Sequence, residues 1–234
     1  MSGQVALIEV DNLRYRYEDG TQALQGVQFR LHAGESVALL GANGSGKTTF
    51  VLHLNGLLAG EGSIRVCGLT VEKASLSVVR SKIGIVFQDS DSQLFMPTVL
   101  EDVCFGLLNS GIAPTDAVTR ARSALRQVGM EAVAGKAPYH LSAGEKKRVA
   151  IAGILAMEPA VLVLDEPTTF LDPPGHRALV KLLAELPPAK IIVTHDVTFA
   201  RAVCGRAVFF ERGKIAGEGT VDEIARHFQW DAAT

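Results

Sequence analysis

The chain has 234 residues, with 23 Lys and Arg against 25 Asp and Glu for a formal charge of −2, and is 47 % hydrophobic with a mean hydropathy of +0.22. At about 150 residues per domain, that length suits one large domain or one with an inserted lobe, with core enough to fold without a disulfide or metal staple. Near-neutral charge excludes a nucleic-acid partner held by bulk charge and a polybasic membrane-surface binder, and no apolar run approaches the roughly 18–20 residues of a bilayer span.

Residues 1–9 show no basic-then-apolar leader, so a cytosolic chain is expected. Residues 5–10, 13–17 and 27–31 read as short strands separated by turn residues such as Glu18, Asp19 and Gly20. Residues 36–40 form an apolar strand that enters a glycine-rich turn, and 47–58 read as a helix. Residues 63–66 and 83–87 are two further strands. From 97 to 157 the period becomes helical, with Ala117, Ala121, Ala124, Leu125 and Val128 on one face and breaks at Pro114 and Pro138. Strands return at 161–164, 191–194 and 207–210, with helical crossovers at 174–186 and 197–203 and a short amphipathic helix at 220–228. Short apolar runs such as 161–164 suit strands buried on both faces of a parallel sheet. The alternation predicts an open α/β sheet with a helical insertion between about 90 and 157. Cys67, Cys104 and Cys204 are scattered and lack metal-ligand spacing, so buried free thiols in a reducing compartment are expected.

Gly41, Ala42, Asn43, Gly44, Ser45, Gly46, Lys47, Thr48 and Thr49 match the pattern GxxxxGK[ST] between a buried strand and a helix. Glycines let consecutive backbone N–H groups turn toward phosphate oxygens, and the following helix adds its positive end. Lys47 supplies a point charge to the outer phosphates, and the Thr48 hydroxyl is a hard oxygen ligand for Mg²⁺. Nucleotide binding follows; hydrolysis, transfer and sensing remain open at this point.

The strand at 161–164 ends in Asp165 and Glu166. An isolated pair of this kind is often a solvated turn. Beside a phosphate loop, on a neighbouring strand, Asp165 can hold Mg²⁺ through water and Glu166 can accept a proton from an attacking water. His195 follows the strand at 191–194 and could donate to the γ-phosphate or to that water. Lys47, Glu166 and His195 each follow a strand, and ligands of parallel sheets bind at those carboxyl ends. Gln88, after the strand at 83–87, is either a polar turn residue or an amide ligand for Mg²⁺ at a hinge. Ser142 and Glu145 form a capping box before the helical run at 149–157, and the alternative reading of the small-residue tip of Ser142, Ala143 and Gly144 is a second anion site.

Taken together, GANGSGKTT at 41–49, Gln88, LSAGE at 141–145, VLVLDE at 161–166, FLD at 170–172 and the His195 segment resemble the ATP-binding cassette (ABC) ATPases over essentially the whole chain. The resemblance implies a P-loop fold with a mixed, largely parallel sheet core, an N-terminal antiparallel β subdomain and an inserted helical subdomain. One domain of 1–234 is expected, with the core at 1–88 and 158–234 and the helical part at 89–157. It implies that Tyr17 stacks on adenine and that Glu166 is the general base. Ser142, Ala143, Gly144 and Glu145 would contact ATP held by a partner subunit, with Leu171 and Asp172 in the loop crossing between subunits. The tip reads LSAGE where the family usually has LSGGQ or LSGGE; Ala143 would hinder backbone approach only if a positive φ is needed there.

Residues 84–95, 98–103, Phe105, Gly106 and LSAGEKKRVAIA at 141–152 are most similar to the energy-coupling factor (ECF) ATPases, which drive uptake of cobalt, nickel or vitamins. The implied partners are a second cassette, a homodimer being expected, and integral membrane subunits, with the chain peripheral on the cytoplasmic face of the membrane. ATP and Mg²⁺ are the implied substrate and cofactor. Two ATPs would join two subunits head to tail until hydrolysis parts them. Competing readings are a soluble cassette of DNA repair or translation, a small-molecule P-loop kinase, and a non-hydrolytic ATP-gated module.

Overall fold

The computed structural model describes residues 6–230; Val5, where the first expected strand begins, and the remaining terminal residues lie outside them. The described chain divides into two packed units. The first comprises the described residues through Ile83, with Ala160–Glu166 and those from Pro187 onward; the second comprises Gly84–Pro159 and Pro167–Leu186.

The first unit opens with β1 (Ala6–Arg16) paired antiparallel to β2 (Gln22–His32). The two strands expected at 5–10 and 13–17 are one strand. Val10 pairs with Phe29 and Leu13 with Val27, so β1 carries one extra residue, absorbed at Asn12 with φ 50°. This bulge keeps Ile8, Val10 and Leu13 buried on one strand. β3 (Ser36–Leu40) leads into α1 (Lys47–Leu54), which ends four residues before the expected 58, with Gly56 at φ 65° just past it. β4 (Glu61–Val66) pairs with β1 and turns into β5 (Leu69–Thr70) through Cys67 and Gly68, both at positive φ. Such a two-residue hairpin matches the strand twist. α2 (Leu76–Lys82) then leads to β6 (Ile83–Val86), along which the chain passes into the second unit.

In the second unit α3 (Val99–Asn109), α4 (Pro114–Gln127) and α5 (Ala143–Leu155) pack on one another. Thr98 and Glu101 close a capping box on α3, and Pro114 opens α4 where a missing N–H is harmless. Ala117, Ala121, Ala124, Leu125 and Val128 are all buried, as their spacing predicts. Gly84 fits β6 only because it has no Cβ; an added one would lie 1.9 Å from Ile154 Cγ2 of α5.

β7 (Val161–Asp165) belongs to the first unit, whereas α6 (Pro173–Glu185) packs in the second. β8 (Ala189–Val193), α7 (Val197–Val203), β9 (Arg206–Glu211), β10 (Lys214–Gly219) and α8 (Val221–His227) complete the first unit. Its main sheet runs in the order β10, β9, β3, β8, β7, with β9, β3, β8 and β7 parallel. β7 and β8 are buried along their whole length, which is why they read as unbroken apolar runs. Cys104 and Cys204 are buried thiols; Cys67 is half-buried, and burial pushes the Cys204 thiol up to about 12.

Phe50 on α1 is fully buried, with its ring centroid 5.4 Å from both Phe29 and Phe210. Phe50→Ala is expected to destabilise the fold by about 3–5 kcal/mol, read as a lower midpoint in denaturant unfolding.

Candidate functional site

β3 ends at Leu40 and α1 begins at Lys47, so six residues form the loop between them. Gly41 sits at φ 135°, and a Cβ there would lie 2.2 Å from the Phe210 carbonyl oxygen. Gly46 caps α1 at φ 108°, where a Cβ would lie 2.7 Å from the Ala23 oxygen. Only glycine lets the loop pass this close to two backbones. Ala42, Asn43 and Gly44 form an exposed crest, whereas Ser45 and Lys47 are buried beneath it. The first N–H groups of α1 have no intrahelical acceptor and face the crest with the positive helix end. Lys47 Nζ donates to Gly41 O at 2.6 Å and Ala42 O at 2.9 Å. Burial lowers the Lys47 pKa, and the charges of Glu166 and Asp165 act against that shift.

In the pairing order β8 lies between β3 and β7. The site still closes: Thr48 Oγ1 donates to Asp165 Oδ2 at 3.2 Å. Hydroxyl and carboxylate oxygens beside a buried lysine are the hard donor set that suits Mg²⁺ on a polyphosphate. Glu166 is held by its own N–H, which donates to Val193 O at 2.8 Å, and its backbone is left-handed at φ 43°. Strain of this kind costs about 1–3 kcal/mol and concentrates at reactive positions. Its buried Oε2 has no donor aligned on it, while His195 Nδ1 stands 2.9 Å away, an ion pair when the ring is protonated. Lys47, Glu166 and His195, each read as following a strand, thus lie in one unit.

Tyr17, just past β1, bonds through its hydroxyl to Thr49 Oγ1 at 2.9 Å and meets Tyr15 edge-on at 5.0 Å. His53 was not singled out by the sequence. It is fully buried, 2.7 Å from Thr49 O through Nδ1 and edge-on to Tyr15 at 4.7 Å. Burial lowers its pKa, so it braces the aromatic lip as a neutral ring. The only signal was its place four residues after Thr49 on the apolar helix.

The second unit carries Gln88, Ser142, Ala143, Gly144, Glu145 and Asp172. Ser142 caps α5: its N–H and Oγ both donate to Glu145 Oε2 at 2.8 Å, and Glu145 N–H donates back at 3.3 Å. The Ser142 N–H holds the Glu145 carboxyl below the usual carboxylate range, so the box stays closed at neutral pH and opens in acid. Ala143 is the first residue of α5 in helical backbone, so no left-handed φ is asked of it. Asp172 caps α6, accepting from Gly175 N–H at 2.8 Å. A groove of about 470 Å³ lies between the two helix tips, with Leu171 3.6 Å from the position of a Gly144 Cβ. Gln88 is exposed, and its carbonyl accepts from Lys147 Nζ at 2.7 Å.

A family model described as ABC transporter matches residues 24–169. The energy-coupling factor transporter ATP-binding protein EcfA of Methanosphaera stadtmanae is 49 % identical over 93 % of this chain and 81 % of its own length. The structure of cbiO1 from Clostridium perfringens, described as part of the ABC transporter complex cbiONQ, matches with a TM-score of 0.86 at 38 % identity, covering 96 % of this chain and 92 % of that one. The dimeric bacterial ABC transporter cassette MJ0796 matches with a TM-score of 0.81 at 29 % identity, covering 92 % of this chain and 98 % of its own.

Proposed function

Because the chain belongs to the ABC transporter family of Mg²⁺-dependent ATPases, we propose that it is the ATP-hydrolysing subunit of an ECF-type importer carrying a transition-metal ion such as cobalt or nickel. The observation that carries the ATPase half is the close set of Thr48, Asp165, Glu166 and His195 beside the Lys47 loop.

In this reading the N–H groups of 41–49 and the Lys47 ammonium bind the β- and γ-phosphates of ATP. Thr48, Asp165 and Gln88 would hold Mg²⁺, which would supply charge compensation at the phosphate oxygens. Glu166 accepts a proton from the attacking water at its carboxylate. His195 holds that carboxylate in place and donates toward the γ-phosphate. Tyr17, fixed by Thr49, stacks on adenine. Ser142, Ala143, Gly144, Glu145 and Asp172 face the ATP of a second copy, so two chains close two sites. The chain then lies on the cytoplasmic face of the membrane, bound to integral subunits; no helix among the described residues is long and apolar enough to cross a bilayer.

Tyr17→Ala is expected to raise the KM for ATP about 5- to 150-fold with kcat nearly unchanged, since base stacking contributes about 1–3 kcal/mol. Steady-state kinetics with varied ATP checks it.

Support for the ECF subgroup is the similarity to EcfA; the metal cargo is one of the two cargo classes implied by the resemblance of residues 84–95, 98–103 and 141–152 to ECF ATPases. The test is purification of the chain with its membrane subunits and reconstitution into vesicles. ATP-dependent uptake of Co²⁺ or Ni²⁺ is the expected result. Vitamin uptake without metal uptake would overturn the cargo, and a pair of ordinary permeases would overturn the subgroup.

A further inference from the structure

Lys147 lies in the second turn of α5 and is 3 % exposed. Its ammonium is not turned to solvent: Nζ donates to Gln88 O at 2.7 Å and to Phe87 O at 3.2 Å. The adjacent Lys146 pairs with Asp91 Oδ1 at 2.5 Å. Inside the same segment, the Gln93 amide accepts from Phe87 N–H at 2.9 Å and donates to Ile85 O at 3.1 Å. The stretch after β6 is therefore braced from within and strapped to α5 by two consecutive lysines.

Packing alone does not account for Lys147. A buried ammonium carries a desolvation penalty of several kcal/mol, and an apolar side chain of the same length would fill the space without it. What the charge adds is direction, because it fixes two carbonyls at the start of the segment. Ser142 caps the same helix five residues earlier, about one and a half turns away.

We propose that Lys147 is a positioning residue that locks the backbone of Gln88 to the helix tipped by Ser142, so that these two groups move as one rigid piece. The inference rests on the roles given above to Gln88 and Ser142. Through Lys147, a displacement of the segment after β6 is carried into the Ser142 tip without a flexible joint.

The test is a double-mutant cycle in the full chain, with Lys147→Met and Gln88→Ala singly and together, read as ATPase kcat and KM. Lys147→Met is expected to lower kcat about 10-fold or more with KM within about twofold, the signature of lost alignment rather than lost binding. In the Gln88→Ala background the same change should cost less than about twofold, because its effect runs through Gln88. Lys147→Gln, which can still reach one carbonyl, should fall between, and it takes the place of Lys147→Met in the cycle if that variant fails to fold. Unchanged turnover in Lys147→Met, or an equal loss in both backgrounds, overturns the strap alone. Normal turnover in Gln88→Ala overturns the role of Gln88, and the strap with it.

Discussion

Glu166→Gln lowers the ATP turnover number by about 10²- to 10⁴-fold while ATP affinity is retained, the span expected for removal of a positioned general base. The amide keeps the size of the side chain but cannot take a proton. Its backbone anchor on Val193 and the neighbouring His195 are untouched, so the loop and the nucleotide pocket stay as they are. With Mg-ATP the stalled variant should also pair with itself, because the bridging nucleotide is no longer consumed. Sedimentation with and without Mg-ATP reads the pairing, and a coupled assay reads turnover. A variant that hydrolyses at the normal rate removes Glu166 from the base role.

Lys47→Ala raises the Kd for ATP by about 30-fold or more, since loss of a desolvated cation facing fixed charges costs about 2–5 kcal/mol. The ammonium also donates to both Gly41 O and Ala42 O, so its removal takes one bond from each and loosens the loop as well as emptying it of charge. Because Lys47 offsets Asp165 and Glu166, its loss leaves the charge of these two carboxylates less compensated beside the triphosphate. Calorimetric titration with ATP checks the outcome. Affinity equal to that of the unaltered chain would contradict the assignment of residues 41–49.

The phosphate loop was legible because its chemistry is local: nine consecutive residues carry the turn, the charge and the hydroxyl. β3, β7, β8 and β9 were legible because strands buried on both faces leave unbroken apolar runs. What escaped was set by pairing across the chain. The join of two expected strands into β1 depends on a bulge against β2, and Asn12, which tolerates the left-handed backbone there, reads in sequence as a turn residue between two strands. β5 is two residues long, below any periodicity. The placement of β8 between β3 and β7 is a matter of strand order, which spacing along one chain does not encode. Among the site residues, Glu166 and His195 were named from their strand ends, and their 2.9 Å approach follows from parallel neighbours β7 and β8. Tyr17 came from family resemblance alone. Its anchor on Thr49 and the buried brace of His53 depend on three-dimensional contacts that only the folded chain displays.

The left-handed backbone at Glu166 sets durability against chemistry at a single residue. Glycine accepts that conformation without steric cost, and asparagine accepts it more readily than glutamate, so either would relax the chain there. Neither carries a carboxylate able to take the proton in the role proposed for Glu166. A laboratory search for heat-resistant variants that never assays turnover would therefore be drawn away from the group that the proposed reaction uses.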